Sequence, residues 1–136
     1  MKILIVDDDP TVVDFFSQVA TFEGHEDIDV APSGEEALTQ VVRTDYDLIT
    51  LDVRMPGAIG LEILSLLRNR CPHAIIAIVS GHIPDEISSE VAGCADVMID
   101  KPVSVETFVK LLRSTVRICE AREEILLLGS APIVVR

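Results

Sequence analysis

The 136-residue chain contains no tryptophan, one tyrosine and four phenylalanines. With so few rings, a base-stacking platform or an aromatic-lined carbohydrate site has little to be built from. Positive charge is also scarce: 11 Lys and Arg stand against 23 Asp and Glu, for a net charge of −12. Phosphate contacts to nucleic acid need a surplus of basic side chains on one face, and an anionic membrane surface makes the same demand. Neither partner is therefore expected, and the balance suits a soluble protein that holds cations in an acidic pocket. Cys71, Cys94 and Cys119 are odd in number and lack CxxC spacing, so they form neither a disulfide framework nor a zinc site. They read as reduced thiols packed in or near a core, which points to the cytoplasm. A leader is not evident, since Lys2 is followed by only four apolar residues before Asp7. No apolar run approaches the roughly 20 residues of a membrane span.

What is present suits one domain. Hydrophobic residues make up 49% of the chain, and a fold of this size buries roughly two thirds of its unfolded surface. Short apolar runs alternate with segments of helical spacing. Ile3-Leu4-Ile5-Val6 has no polar interruption, as expected of a strand covered on both faces. It ends in Asp7-Asp8-Asp9-Pro10, where Asp9 suits an N-cap and Pro10 a first helical residue. Val12, Val13, Phe16, Val19 and Ala20 make the helix stripe, and Gly24 ends it. Ile28–Ala31 is a short second strand. Ser33 and Glu36 fit a capping box ahead of Ala37, Leu38, Val41 and Val42. Leu48–Leu51 is the third strand, followed after a loop by a helix bearing Leu61, Leu64 and Leu67. Ile75–Val79 is the fourth strand, a short polar helix spans about Asp85 to Ala92, and Val97–Ile99 is the fifth strand. A last helix begins near Ser104 and carries Val105, Phe108, Val109, Leu112, Val116 and Cys119. Five strands alternating with five helices imply right-handed crossovers and a doubly wound α/β parallel sheet.

In such sheets, sites form beyond the carboxyl ends of the strands. Those ends carry Asp7 and Asp8, then Asp52, then Ser80, then Lys101. Clustered carboxylates repel unless a hard cation sits among them, and Mg²⁺ prefers oxygen ligands. A cation, an ammonium and a hydroxyl are also what phosphoryl transfer requires, because the transferred group spreads negative charge over its oxygens. Asp52 then reads as the nucleophile, with the metal, Lys101 and Ser80 each taking one phosphoryl oxygen.

The run Ile5-Val6-Asp7-Asp8, Leu51-Asp52 with Met55-Pro56-Gly57, Ser80 after an apolar strand, and Lys101-Pro102 together resemble the receiver domain of two-component response regulators. The match covers about residues 1–121, leaving 122–136 as an apolar extension of the last helix and a tail. The resemblance implies a flavodoxin-like (βα)5 fold with strand order 2-1-3-4-5. It implies Mg²⁺-dependent transfer, with Mn²⁺ as a substitute, from a histidine kinase or histidine phosphotransfer protein to Asp52. Asp8 and Asp52 resemble direct metal ligands, Asp7 a ligand acting through water, and the Arg54 backbone carbonyl the third protein ligand. A cis peptide before Pro102 is implied as well. The chain would be a signalling domain rather than an enzyme, stand-alone and acting on a downstream effector protein. Three positions depart from the family pattern. Ile59 precedes Gly60 where Asp is usual, Ser80 replaces the commoner Thr, and Met98 occupies the position of the switch aromatic three residues before the lysine. Met98, being flexible, and the segment Gly81–Ala92 would then carry the response, with phosphorylation drawing Ser80 toward Asp52.

Other readings compete. Asp7-Asp8-Asp9-Pro10-Thr11 also fits the Asp-x-Asp-x-Thr start of a haloacid-dehalogenase-type phosphatase, with Asp7 as nucleophile and Asp9 as general acid. The chain is short for that fold and lacks its late acidic pair. A non-phosphorylated receiver-like binding module is the third reading, and flavin binding lacks the phosphate-cradling loop. Arg54 and His82 flank the pocket at positions more often solvent-facing than catalytic, with control of water access as their alternative role. His25 and His73 read as surface loop residues. Ile125–Leu128 and Ile133–Val135 are more apolar than a free terminus usually is. The tail either folds back, pairs with a second copy (a homodimer) or a partner, or leads into a longer protein.

Overall fold

The computed structural model describes residues 1–53, 60–81, 89 and 93–132. Its elements in chain order are β1 (Ile3–Val6), α1 (Pro10–Phe22), β2 (Ile28–Ala31), α2 (Gly34–Arg43), β3 (Leu48–Leu51), α3 (Gly60–Arg70), β4 (Ile75–Ser80), β5 (Val97–Asp100) and α4 (Val105–Leu127). The five strands are parallel and ordered β2-β1-β3-β4-β5. This is the doubly wound arrangement expected from the alternating pattern. The helix expected over Asp85 to Ala92 lies, apart from Ser89, outside the described residues.

The uninterrupted apolar strands are explained by burial on both faces. Leu4, Val6, Ile49, Leu51, Ile76 and Ile78 point to one core, closed by α2 and α3 through Ala37, Val41, Ile63, Leu64 and Leu67. The alternate residues Ile3, Ile5, Leu48, Ala77 and Val79 point to a second core, closed by α1 and α4. There the rings of Phe16 and Phe108 lie 4.4 Å apart, tilted by 31°, and join the two helices.

Helix ends follow local chemistry. The Asp9 side chain accepts from the Thr11 amide, and Ser33 accepts from the Glu36 amide. Ser104 caps α4 by accepting from the Thr107 amide. Gly24, with φ of +93°, turns the chain after α1. Two expected stripe residues are not core. Val42 and Val105 are 63% and 54% exposed. Val42 sits a quarter turn or so round from the buried Val41, and Val105 occupies the first position of its helix. Tyr46 and Thr115, absent from the expected core, are buried. The Tyr46 hydroxyl donates to Asp29 at 2.6 Å, and Thr115 donates to the Leu111 carbonyl at 2.8 Å. Cys71, Cys94 and Cys119 form no disulfide. Among the described residues no helix is long and apolar enough to cross a membrane.

Gly34 opens α2 against α3, and a Cβ there would lie 2.7 Å from Ile63 Cγ1. Gly34→Ala is expected to lower stability by about 1–3 kcal/mol by overpacking, despite alanine's better helix propensity. The loss should shrink in an Ile63→Ala background, as read by urea denaturation of the four proteins in the cycle.

Candidate functional site

Parallel register assembles the site. Val6 pairs with Leu51 and Leu51 with Ile78, so the next residues on β1 and β3, Asp7 and Asp52, emerge side by side. Backbone bonds hold them there: the Asp7 amide donates to the Ala31 carbonyl at 3.1 Å, and the Asp52 amide to the Val6 carbonyl at 2.9 Å. Ser80 pairs with Asp100 at the end of β5, and the Lys101 amide donates back to the Ser80 carbonyl at 3.0 Å. Residues far apart in sequence thus reach one rim. The Lys101-Pro102 peptide is cis.

Asp7, Asp52 and Ser80 are almost fully buried, while Asp8 is exposed. One carboxylate oxygen from each of Asp7, Asp8 and Asp52 falls within 4.8 Å of the others. Lys101 Nζ donates to Asp7 Oδ2 at 2.8 Å and to Asp52 Oδ2 at 3.1 Å. Ser80 Oγ donates to the other oxygen, Asp52 Oδ1, at 3.2 Å. Asp7 Oδ1 accepts from the Asp9 amide at 2.9 Å. Burial pushes the Asp7 carboxyl above the usual carboxylate range, against the opposing pull of Lys101 and the Asp9 amide, and the nearby Asp52 adds to the rise. Burial pulls the Lys101 ammonium down, but its bonds to Asp7 and Asp52 outweigh that and leave it above its ordinary value. The lysine is therefore a fixed cation, facing more negative charge than it neutralises. An all-oxygen, carboxylate-rich donor set of this kind fits a hard divalent ion such as Mg²⁺.

A family-level comparison accounts for this arrangement. Residues 3–113 match the family model of the response regulator receiver domain. The chain belongs to the response regulator receiver domain family. Response regulator MprA of Mycobacterium leprae is 34% identical over 120 residues, covering 86% of this chain and 51% of that protein. The chain spans about half the length of the curated relatives it matches. A receiver domain protein (CheY-like) of Methanospirillum hungatei superposes with a TM-score of 0.80 at 28% identity, covering 90% of this chain and 97% of that one. Response regulator TrrA of Thermotoga maritima, solved in complex with Mg²⁺-BeF, gives a TM-score of 0.74 at 32% identity, covering 85% and 99%.

Asp7, Asp8, Asp52, Ser80 and Lys101 of this receiver come together as the sequence expects. Arg54 and His82 lie outside the described residues. Met98, on β5, pairs with Ile78 of β4 and packs against the core under α2 and α3. Asp9, the general acid of the phosphatase alternative, spends its carboxylate on capping α1. One feature was not legible in the sequence, an open groove of about 580 Å³ beside Lys101. Its lining pairs Thr11, Val12 and Phe15 of α1 with Pro102 and Val103. The exposed-side position of Phe15, next to the core Phe16, was its one sequence signal.

Lys101→Met removes the cation from two nearly buried carboxylates. The expected cost without divalent ions is about 3 kcal/mol in urea denaturation, because an uncompensated buried charge remains. Added Mg²⁺ should recover part of that loss.

Proposed function

We propose that the chain accepts a phosphoryl group on Asp52 in a Mg²⁺-dependent reaction and passes the signal on through protein contacts. The observation that carries this reading is the bonding around Asp52. Its two oxygens are held by different donors, Ser80 Oγ and Lys101 Nζ, beside a second and a third carboxylate. The donor is a phosphohistidine of a histidine kinase or phosphotransfer protein. An Asp52 carboxylate oxygen forms the new bond to phosphorus as the phosphorus–nitrogen bond breaks, and the imidazole leaves with that electron pair and takes up a proton. Lys101 then neutralises one phosphoryl oxygen, and the Ser80 hydroxyl donates to another.

Asp8 and Asp52 would hold Mg²⁺ (or Mn²⁺) directly and Asp7 through water, and the Arg54 backbone carbonyl, outside the described residues, would be the third protein ligand. When bound, the ion supplies positive charge to a phosphoryl oxygen. The likeness to TrrA, solved with Mg²⁺-BeF, supports this assignment. Ser80 already bonds to Asp52, so the switch is an exchange of partner, from carboxylate to phosphoryl oxygen. Met98, half-buried against the core under α2 and α3, is flexible enough to adapt to that exchange. The groove beside Lys101 is the proposed seat of the phosphoryl donor, since its apolar lining adjoins the site. The chain changes only its own phosphorylation state in this scheme, in the cytoplasm.

Intact mass after incubation with acetyl phosphate tests the reading. One phosphoryl group should be gained only with Mg²⁺ present, and none by Asp52→Asn. Ser80→Ala should slow the gain by about tenfold to a hundredfold, the cost of losing one donor to a developing oxyanion. A phosphoryl group retained in Asp52→Asn would count against Asp52 as acceptor.

A further inference from the structure

Strand β5 delivers Lys101 to the site, yet little in its own packing fixes where the strand lies. All four residues of β1 and of β3 are buried, and five of the six in β4. None of the four in β5 is. Register is strongly specified where a strand buries a face and weakly where it does not. A slip of one residue along β4 would turn Lys101 to the other side of the sheet, taking its ammonium off Asp7 and Asp52. The lysine therefore needs β5 pinned by something other than apolar packing.

The pin is polar and stands at the far end of the strand. Arg68, in the last turn of α3, donates from Nη2 to Asp96 Oδ2 at 2.7 Å and from Nε to the Cys94 carbonyl at 2.9 Å. Its Nη1 donates to the carbonyls of Ala74 at 2.9 Å, Pro72 at 3.2 Å and Cys71 at 3.4 Å. One planar guanidinium thus holds both the chain entering β4 and the chain entering β5, a division that the compact ammonium of a lysine cannot reproduce. The Arg68 side chain is only 22% exposed, so these bonds are sheltered as those of a surface ion pair are not. Asp96 completes the joint. Its Oδ2 also accepts from the Ile76 amide at 2.8 Å, and its own amide donates to the Ile76 carbonyl at 2.9 Å. One residue thus engages both backbone groups of Ile76. That fixes the pairing of Ala77 with Val97 that follows and, further along, of Ser80 with Asp100. Lys101 comes next, its amide bonded to the Ser80 carbonyl.

We infer that Arg68 and Asp96 are positioning residues for phosphoryl transfer: they set the register of β5 on β4, and through it the place of the Lys101 ammonium. Along an extended strand Asp96 lies about 16 Å from Lys101, so the joint acts without touching the reacting atoms. The inference rests on the reading of Asp52 as the phosphoryl acceptor and adds to it the residues that place the lysine. Distance does not make the effect small, since a misplacement of about 1 Å can cost roughly a hundredfold in rate.

Phosphoryl uptake by full-chain variants tests it, followed by intact mass over a range of acetyl phosphate concentrations at saturating Mg²⁺. Arg68→Lys and Asp96→Asn each keep a polar group in place and are compared well below their melting temperatures. Each should lower the maximal rate by about tenfold with the half-saturating donor concentration unchanged, because Lys101 acts on the phosphoryl group in transit. The double variant should be no slower than the slower single one, since both changes break the same joint. Gly34→Ala, which disturbs the packing of α2 on α3, should lose stability without losing rate. In amide NMR spectra taken without donor, the Asp100 and Lys101 signals should shift in both single variants while those of Leu4 and Ile49 hold. Maximal rates equal to wild type in folded Arg68→Lys and Asp96→Asn would show that the joint serves stability alone and would overturn the inference. A wild type that takes up no phosphoryl group overturns the reading of Asp52 instead, and unshifted Asp100 and Lys101 signals overturn the role in register independently of it.

Discussion

One ammonium group holds the acidic rim together. Lys101 Nζ lies within hydrogen-bond distance of both Asp7 and Asp52, whose carboxylates are nearly buried. Without a cation between them, two such groups would repel and resist ionisation. The position of Lys101 in turn depends on β5 lying beside β4, and on the bond from its amide to the Ser80 carbonyl. The order of strands is thus tied to where one charge must sit. Because Asp8 remains exposed and adds a further negative charge, the rim is left with a net demand for cations.

The molecule is unevenly built around this rim. At the strand ends Asp7, Asp52 and Ser80 are buried, and backbone bonds tie Asp7, Asp52 and Lys101 to neighbouring strands. Edge anchoring comes from scattered polar clamps rather than from more apolar packing. Arg68, for example, bonds to Asp96 and to the carbonyls of Cys94 and Ala74, tying α3 to the approach of β5. Asp96 also accepts from the Ile76 amide, so the clamp reaches β4. The far end of α4 is the opposite case. Its leucines and isoleucines are exposed.

Much of the architecture could be read before the fold was known, and the reason is that short-range signals were strong. Uninterrupted apolar runs such as Ile3–Val6 and Ile75–Val79 mark strands buried on both faces. Asp9, Ser33 and Ser104 mark helix starts because their side chains satisfy free amides. The errors lay where register in three dimensions decides. Val42 and Val105 are apolar and sit near helical stripes, yet a fraction of a turn leaves them in water. Tyr46 lies in a loop, yet it is buried, and Asp29 of β2 takes its hydroxyl bond.

The residue types of the site, and their order at strand ends, were determined by the sequence alone: three carboxylates, a hydroxyl and a lysine at successive carboxyl termini. Their function as one group was decided only by tertiary structure. The parallel register brings Asp7 and Asp52 side by side across 45 residues, since Val6 pairs with Leu51. It also splits the two oxygens of Asp52 between Ser80 and Lys101. No periodicity in the chain encodes that division, because it depends on the distance between strands and not on the spacing along any one of them.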